Sequence, residues 1–342
     1  MPAETALTNE RGSSAAAPDN SPYEKKRLYE WTPPVRPTRD DLFAGGDRTR
    51  AWLRYWVSGK IHDGFDIVMH RLLSRLPIGW TSDFGASLGW FVVRKFKPKT
   101  VENARANFHR LRPDWSSTEI EQAIARLYRH IGRIMAEFSH LTKMAPAGLL
   151  NLRNPEVLLN ATGQGPVVIV SLHTGNWEVG AAALHSMGIR WADFYTPPAR
   201  EVQHRIANEI RESFGIQLLQ PGRAGVRPAI RVLKGGGVVS IFCDEVHDDR
   251  VMAPFFGRPP HTQGNLAVAV RLARLTGARI VIGYTVRTKG CRFDILFEEP
   301  IEYAPGEAAP DQLNADILAL NDRIERVIST HLDQWYFLDN DL

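Results

Sequence analysis

One seven-residue segment limits the possible folds of this chain more than any other feature. Residues 166–172 read PVVIVSL, a nearly continuous β-branched run that follows a Gly-Gln-Gly turn at 163–165. A strand that is apolar on both faces is typical of a sheet covered by helices on both sides. The segment therefore predicts a central sheet buried between layers of helices.

Similar apolar runs recur later in the chain, at residues 238–243 and 279–286. Helical patterns are predicted between and after them, at 201–214, 224–234, 264–276 and 311–332. Strands that alternate with helices favour parallel pairing through crossover connections. We expect an α/β fold with a mixed, largely parallel sheet flanked by helices and a helical N-terminal portion.

The chain divides by composition into a tail and one domain. Residues 1–47 are rich in Ala, Ser, Pro and charge without periodicity, which predicts a disordered tail. Residues 48–342 are predicted to form a single domain. Its first part, 48–150, is mainly helical, and its second part, 151–342, is the α/β core.

Composition restricts the partners. The 342 residues are 44% hydrophobic, enough for a substantial core, and carry a formal net charge of +4. This charge favours anionic partners such as lipid headgroups, acidic carrier proteins or phosphates, although an ordinary solvated surface has the same composition. The basic residues match no nucleic-acid-reading motif, so no nucleic acid is expected. Cys243 and Cys291 lie in apolar, strand-like runs and are expected to be free thiols in a reducing compartment.

The sequence predicts that any contact with a membrane is peripheral. No window reaches the roughly 18 uninterrupted apolar residues of a spanning helix, and the N-terminus lacks the apolar segment of a secretory signal. Residues 48–60 (RTRAWLRYWVSGK) place aromatic beside basic residues, as in a helix that lies in the membrane interface. A core helix with inward Trp side chains is the alternative.

The candidate site is SLHTGNWE, residues 171–178, in which a His is followed five positions later by an acid. This spacing is not specific, because two other pairs share it: His109/Asp114 and His204/Glu209. Only His173 directly follows a predicted buried strand. The carboxyl ends of strands are where open α/β sheets form their ligand crevice.

The acid of this segment, Glu178, is expected in the first turn of the following helix, where it can reach back to the imidazole of His173. A carboxylate bonded to one ring nitrogen fixes the tautomer and raises the basicity of the other. Such a pair can take a proton from a hydroxyl that attacks a carbonyl, with backbone N–H groups at the helix start stabilising the oxyanion. A structural histidine near a helix start is the alternative.

Other motifs lack the required context. Residues 85–89 (GASLG) fit a Gly-x-Ser-x-Gly nucleophile pattern, but no strand precedes the Ser. Lys234 and the glycines after it precede a strand, the wrong order for a phosphate loop. Asp244, His247 and Asp249 offer metal ligands for a hydrolase, but neighbours on one turn rarely converge on an ion. We expect neither a metal nor a cofactor.

The segment HTGNWE after a hydrophobic strand resembles the His-x4-Asp/Glu signature of bacterial lysophospholipid acyltransferase-like proteins. The nearest group is the late (lauroyl/myristoyl) acyltransferases of lipid A biosynthesis. Four further segments resemble family blocks in the same order: FYTPPAR (194–200), PGRAGVR (221–227), DEVHDDRVMAPFFGRPPHTQGN (244–265) and DQWYF (333–337). The resemblance covers roughly residues 48–338.

The resemblance implies a glycerolipid acyltransferase-like fold and direct transfer of a fatty acyl group, without a covalent acyl-enzyme. The donor would be acyl-carrier protein or acyl-coenzyme A, and the acceptor a hydroxyl of a lipid A precursor or a related glycolipid or aminolipid. His173 would be the base and Glu178 its partner, at the cytoplasmic face of a bacterial inner membrane. The residues implied to bind substrate are Asn176, Arg200, Arg223, Asp244 and Glu245. A non-catalytic lipid-binding protein is the remaining alternative.

Overall fold

The computed structural model describes Tyr23 and residues 31–33, 35–198 and 200–342. Most of the predicted tail lies outside these residues, and its described end already contains a short helix, α1. The helices run as α1 (Arg39–Phe43), α2 (Gly46–Leu53), α3 (Lys60–Leu73), α4 (Ile78–Phe96), α5 (Pro98–Leu111), α6 (Ser117–Glu137), α7 (Leu141–Met144), α8 (Pro155–Gln164), α9 (Val179–Ser186), α10 (Glu201–Ser213), α11 (Arg223–Lys234), α12 (Gly264–Thr276) and α13 (Pro310–Thr330). The strands are β1 (Leu150–Leu152), β2 (Val167–Ser171), β3 (Ala192–Phe194), β4 (Gln217–Leu219), β5 (Val238–Phe242), β6 (Val246–His247), β7 (Arg250–Val251), β8 (Arg279–Lys289) and β9 (Arg292–Phe297).

The main sheet has seven strands in the order β1-β9-β8-β2-β5-β3-β4. Strands β8, β2, β5, β3 and β4 are mutually parallel, and β9 pairs antiparallel to β8. The predicted mixed, largely parallel sheet is therefore confirmed. The three predicted strands are β2, β5 and β8, and the four helices predicted after residue 200 are α10 to α13.

Helices cover both faces of the sheet, because the central strands are apolar on both sides. Val168 and Val170 of β2 belong to a core shared with α11, α12, α13 and part of the N-terminal helices. Val167 and Ile169 face the opposite way, into a core shared with α7, α8 and α9. The β-branched run that predicted a buried sheet thus supplies side chains to both layers.

Glycines bring two helices of the N-terminal portion into direct contact. A Cβ at Gly132 of α6 would lie 2.1 Å from the carbonyl oxygen of Gly85 in α4, and a Cβ at Gly89 would lie 2.6 Å from the Cα of Gly132. The segment GASLG is therefore helical and serves helix packing. It does not form a nucleophile turn, and the strand-like run that follows it also belongs to α4.

The predicted basic, aromatic helix at 48–60 is part of a longer helical stretch. A π-helical turn at Arg54–Gly59 joins α2 to α3 without a break. Trp52 is half-buried, and the indole nitrogen of Trp56 donates to the Pro37 carbonyl at 2.9 Å. Within the residues that the structure describes, none of the helices combines the length and hydrophobicity needed to cross a bilayer.

Candidate active site

The catalytic candidate His173 lies where the sequence places it, two residues beyond the carboxyl end of the central strand β2. The loop that carries it turns at Gly175, which has φ +51°. A Cβ at Gly175 would lie 2.3 Å from the backbone oxygen of Thr285 on β8. This position therefore needs glycine twice, for its left-handed backbone and for the close approach of β8.

The carboxylate that contacts the imidazole is Asp244. Its Oδ1 lies 2.8 Å from Nδ1 of His173, and its Oδ2 accepts the backbone N–H of the same residue at 2.8 Å. The indole Nε1 of Trp335 also donates to Oδ2, at 2.9 Å. Asp244 is fully buried. Because a carboxylate only accepts, Nδ1 carries the proton and the other ring nitrogen is left as the base.

The register of the sheet explains this pair. Ser171 of β2 pairs with Phe242 of β5 in parallel register, so the residues two positions later, His173 and Asp244, emerge side by side. The residue that the resemblance implied to bind substrate, Asp244, is instead the partner of the imidazole.

The predicted contact between Glu178 and the imidazole is wrong for this structure. The carboxylate of Glu178 instead accepts from Nη2 of Arg211 on α10, which is 3.3 Å from both oxygens. The Arg211 guanidinium also lies over the ring of Tyr195, 4.6 Å from its centroid. The side chain of Glu178, at the turn that leads into α9, therefore joins α9 to α10, and both members of the ion pair line the same cavity as His173.

The buried side chain of His130 holds the loop that carries His173. Nε2 of His130 on α6 lies 2.9 Å from the carbonyl oxygen of Gly175, and Arg287 Nε donates to its Nδ1 at 2.9 Å. Burial, reinforced by the charge of Arg287, lowers the pKa of His130 to about 3. The ring is therefore neutral, with its proton on Nε2, where it donates to the Gly175 carbonyl.

A buried ion pair completes this support. The carboxylate of Glu137 accepts from both Nη atoms of Arg287, at 2.6 and 2.9 Å, and from Ser82 Oγ at 2.6 Å. It also accepts from the Asn176 amide at 2.9 Å. Asn176 is fully buried and anchors the loop to α6, and its contact with substrate stays a prediction.

A cavity of about 680 Å³ opens at His173 and extends between α9 and the sheet. Aromatic rings surround the imidazole at this end, with centroids 4.4 Å (Phe242), 4.8 Å (Phe337) and 5.0 Å (Trp177) away. Part of the remaining wall is apolar and includes Ile169, Leu184, Trp191, Ile210, Phe214, Ile216, Ile295 and Phe297, whereas Glu178, Asp193, Arg211 and Glu245 add charged groups elsewhere. The site thus combines a proton acceptor with a space suited to a hydrocarbon chain.

Two half-buried carboxyl groups line the same cavity. Glu245, predicted to bind substrate, accepts the backbone N–H of Asn265 at the start of α12 at 2.5 Å. Burial, together with the neighbouring Asp244, raises the pKa of Glu245 to about 7. Burial also raises the pKa of Asp193 to about 6, although Ser240 donates to it at 2.6 Å. Both carboxyl groups can therefore be protonated near neutral pH.

The two arginines implied to bind substrate differ in environment. Arg200 forms ion pairs with Asp66 and, at 3.5 Å, with Asp63 on α3. Its charge is thus engaged by two carboxylates of α3, and its contact with substrate stays a prediction. Arg223 is exposed at the first residue of α11, directly after Pro221 and Gly222, which line the cavity.

The alternative metal cluster does not assemble. Asp244 is buried against His173 and Trp335, whereas the exposed His247 lies 3.3 Å from Asp248 on the β6–β7 turn. Among the described residues, no group of three or more His, Cys, Asp or Glu side chains is placed to hold a metal ion.

Trp335 and Arg211 contact the two acids of the site but were not among the predicted site residues. Trp335 appeared only as part of the DQWYF resemblance, although an aromatic donor in a block shared with a family is a usable signal. Arg211 lies in a charged helix whose pattern does not distinguish it from solvated neighbours.

Residues 47–342 match the family of bacterial lipid A biosynthesis acyltransferases. No curated protein sequence matches the chain. Among solved structures, it is similar to the 1-acyl-sn-glycerophosphate (LPA) acyltransferase PlsC from Thermotoga maritima, with 15% identity, 72% of this chain and 95% of that chain covered, and a TM-score of 0.33. The family match confirms the resemblance seen in the sequence: this chain belongs to the bacterial lipid A biosynthesis acyltransferase family.

Proposed function

We propose that this acyltransferase moves a fatty acyl group from acyl-carrier protein or acyl-coenzyme A to a hydroxyl of a lipid A precursor or a related glycolipid or aminolipid. One observation carries the proposal. The imidazole of His173, oriented by the buried Asp244, lies at a cavity of about 680 Å³ that has an apolar stretch of wall formed by Ile169, Leu184, Phe214 and their neighbours. This arrangement suits a reacting carbonyl attached to a long hydrocarbon chain.

The chemistry follows from the tautomer. With Nδ1–H donated to Asp244, Nε2 of His173 takes the proton of the acceptor hydroxyl as its oxygen attacks the thioester carbonyl. The tetrahedral intermediate collapses with cleavage of the C–S bond, and the imidazolium returns the proton to the leaving thiolate. The buried carboxylate of Asp244 stabilises the imidazolium in between, and no acyl-enzyme forms. Backbone N–H groups before α9 are the candidates for oxyanion stabilisation.

Residues around the cavity supply the remaining roles. The exposed Arg223 at the start of α11 suits a phosphate of donor or acceptor, because guanidinium and helix N-terminus both favour anions. Glu178 holds Arg211 in the cavity wall and acts on the reaction through that position. Glu245, whose pKa burial raises to about 7, lines the cavity as a group that is partly protonated near neutral pH.

We further propose that α3 and α4 bind the membrane that contains the acceptor. Ile61, Phe65, Val68 and Leu72 form one stripe of α3 and are 50–67% exposed. On α4, Trp80, Phe84, Leu88 and Phe91 form a second stripe that is 44–72% exposed. A contiguous apolar surface of this kind marks an interaction site.

The basic residues near these stripes favour an anionic lipid surface as their partner. Exposed basic residues lie near the ends of the two helices: Arg71 and Arg75 are on either side of Leu72 in the sequence, and Arg94 and Lys95 follow the second stripe. Apolar residues flanked by basic ones are the composition of elements that lie in the membrane interface. Peripheral attachment to the cytoplasmic face of the inner membrane is therefore the proposed location.

The opposite side of α3 leads to the active site. Asp63 and Asp66 bind Arg200, which follows the segment 194–196 that lines the cavity. This link between α3 and the segment that follows the cavity wall supports an acceptor lipid that reaches His173 from the side of α3.

The test is transfer of a labelled acyl group from acyl-carrier protein and acyl-coenzyme A into a total bacterial lipid extract. Wild type, His173→Ala and Glu178→Gln are compared, with and without EDTA. A labelled lipid that forms with wild type in EDTA and is absent with His173→Ala supports the proposal. Transfer that survives His173→Ala excludes it as the base. Glu178→Gln tests whether Glu178, in addition to Asp244, assists His173. A rate as low as that of His173→Ala would assign Glu178 a direct part in proton transfer.

A further inference from the structure

A second cavity lies next to the catalytic one, on the other side of α9. It has a volume of about 500 Å³ and is lined by Thr142, Ala145, Pro146, Leu150, Leu152, Ala182, His185, Ser186, Ser213 and Phe214. Most of these side chains are apolar or small. The proposed mechanism makes no use of this space.

One residue belongs to the walls of both cavities. Phe214 follows the last residue of α10 and lines the catalytic cavity and the second cavity. Along α9, Ala181 and Leu184 face the first space and Ala182 and His185 face the second. The side chain of Phe214 is therefore part of the partition between them.

Contacts on both sides hold this partition in place. The backbone N–H of Phe214 donates to the Arg211 carbonyl at 3.2 Å, and Nδ1 of His185 lies 3.1 Å from the Phe214 carbonyl oxygen. The rings of Phe214 and His185 have centroids 5.6 Å apart. Only 7% of Phe214 is exposed. Such a ring resists displacement by a ligand, because close-packed interiors yield little.

We propose that Phe214 closes the apolar part of the catalytic cavity and sets the longest acyl chain that the enzyme accepts. The inference rests on the proposed function, in which the acyl chain occupies this cavity. A methyl end that reaches the ring has no further room, so each additional methylene forces strain or a poorer position of the thioester carbonyl at His173. Removal of the ring joins the two cavities and extends the apolar path.

The experiment compares wild type with Phe214→Ala, Phe214→Leu and Phe214→Trp. Transfer into the lipid extract is measured with lauroyl, myristoyl, palmitoyl and stearoyl donors. Phe293→Leu is the matched control, because Phe293 belongs to the same core as Phe214 but lines neither cavity. Phe214→Leu repeats the test should Phe214→Ala fail to fold.

Phe214→Ala and Phe214→Leu should raise the ratio of kcat/KM for longer donors to kcat/KM for the donor that wild type prefers. The increase should be roughly tenfold or more, because each extra methylene in an apolar pocket changes kcat/KM by about that factor. Phe214→Trp should shift the optimum towards shorter chains, and Phe293→Leu should leave it unchanged. Active Phe214→Ala and Phe214→Leu enzymes with the wild-type profile would overturn the inference.

Binding of the corresponding free fatty acids, followed by displacement of a fluorescent fatty acid, separates this inference from the proposed function. Suppose that the chain length of the best-bound fatty acid shifts in the Phe214 variants while wild type transfers no acyl group. This result would support the role of Phe214 between the two cavities and refute the proposed transfer reaction. A length profile that does not shift, in a wild type that transfers acyl groups, would refute only the role of Phe214.

Discussion

Replacement of Asp244 by Asn isolates the role of the proposed orienting carboxylate. Three N–H groups converge on it: Nδ1 of His173 on Oδ1, and the His173 backbone and Trp335 indole on Oδ2. The last two can only donate, so an Asn must turn its oxygen towards them. Its NH2 group then faces Nδ1, which becomes an acceptor. The imidazole proton moves to Nε2, and the base is lost.

The cost of this change can be estimated. Trapping a catalytic histidine in the wrong tautomer lowers kcat about 10³–10⁴-fold, equivalent to about 4–5.5 kcal/mol in the barrier. The effect on folding should be smaller, about 1–3 kcal/mol, because the donors at Oδ2 keep their acceptor. Asp244→Asn should therefore fold and bind a fatty acid like wild type while transferring acyl groups at a small fraction of its rate.

The assay is steady-state acyl transfer at saturating donor, with thermal unfolding of the same preparations. Trp335→Phe is the control, because it removes one donor from Oδ2 and leaves the Nδ1 contact intact. It should lower kcat less than tenfold. A folded Asp244→Asn enzyme within tenfold of the wild-type kcat would refute the tautomer argument, as would equal losses in the two variants.

Three further outcomes are expected. Gly175→Ala should destabilise the protein by about 2–4 kcal/mol in urea unfolding, since its Cβ meets a backbone oxygen at 2.3 Å and φ is +51°; an unchanged midpoint would contradict the close approach. Because burial raises the pKa of Glu245 from 4.5 to about 7, the folded state holds a proton that the unfolded state releases, and stability is lost as pH rises through this window. Glu245→Gln removes this loss. The free energy of unfolding of the variant minus that of wild type should therefore grow by up to about 3 kcal/mol from pH 4.5 to 7. A difference that stays constant with pH would refute the raised pKa of Glu245. Phe65→Ser together with Val68→Ser should lower the affinity for vesicles of phosphatidylglycerol and phosphatidylethanolamine, measured by co-sedimentation, about tenfold or more without changing the unfolding midpoint. Replacement of the exposed Leu159 by Ser is the control. Equal losses of affinity in the two proteins would argue against the α3 stripe.

The strands that could be predicted are those with their own hydrophobic signal. Strands β2, β5 and β8 each carry a run of apolar, largely β-branched residues long enough to recognise, and all three were predicted close to their observed bounds. Strands β1, β3 and β4 have three residues each. A segment of that length shows no period, and its extended form depends on pairing with a neighbour that the sequence does not identify.

In the candidate site, too, only residues with a local signal in the sequence could be predicted. His173 could be singled out because it follows a buried strand, a local property. Its partner Asp244 follows another predicted strand, but the contact arises only once β2 and β5 are neighbours in the register that pairs Ser171 with Phe242. Glu178 was favoured because it is near in sequence, whereas the structure makes the contact across the sheet.

The helical N-terminal portion takes part in the geometry of the site. His130 and Glu137 on α6 hold the loop of His173 through the Gly175 carbonyl and the Asn176 amide, and Ser82 of α4 donates to the same Glu137. The other face of α4 carries one of the exposed apolar stripes. A membrane that binds α4 would therefore contact a helix that is connected to the catalytic loop by a buried hydrogen-bonded network around the Glu137–Arg287 ion pair. Such networks tolerate little displacement, because a separated buried charge costs several kcal/mol. We therefore predict that vesicles that bind the proposed stripes slow hydrogen exchange of the 173–178 loop as well as of α4.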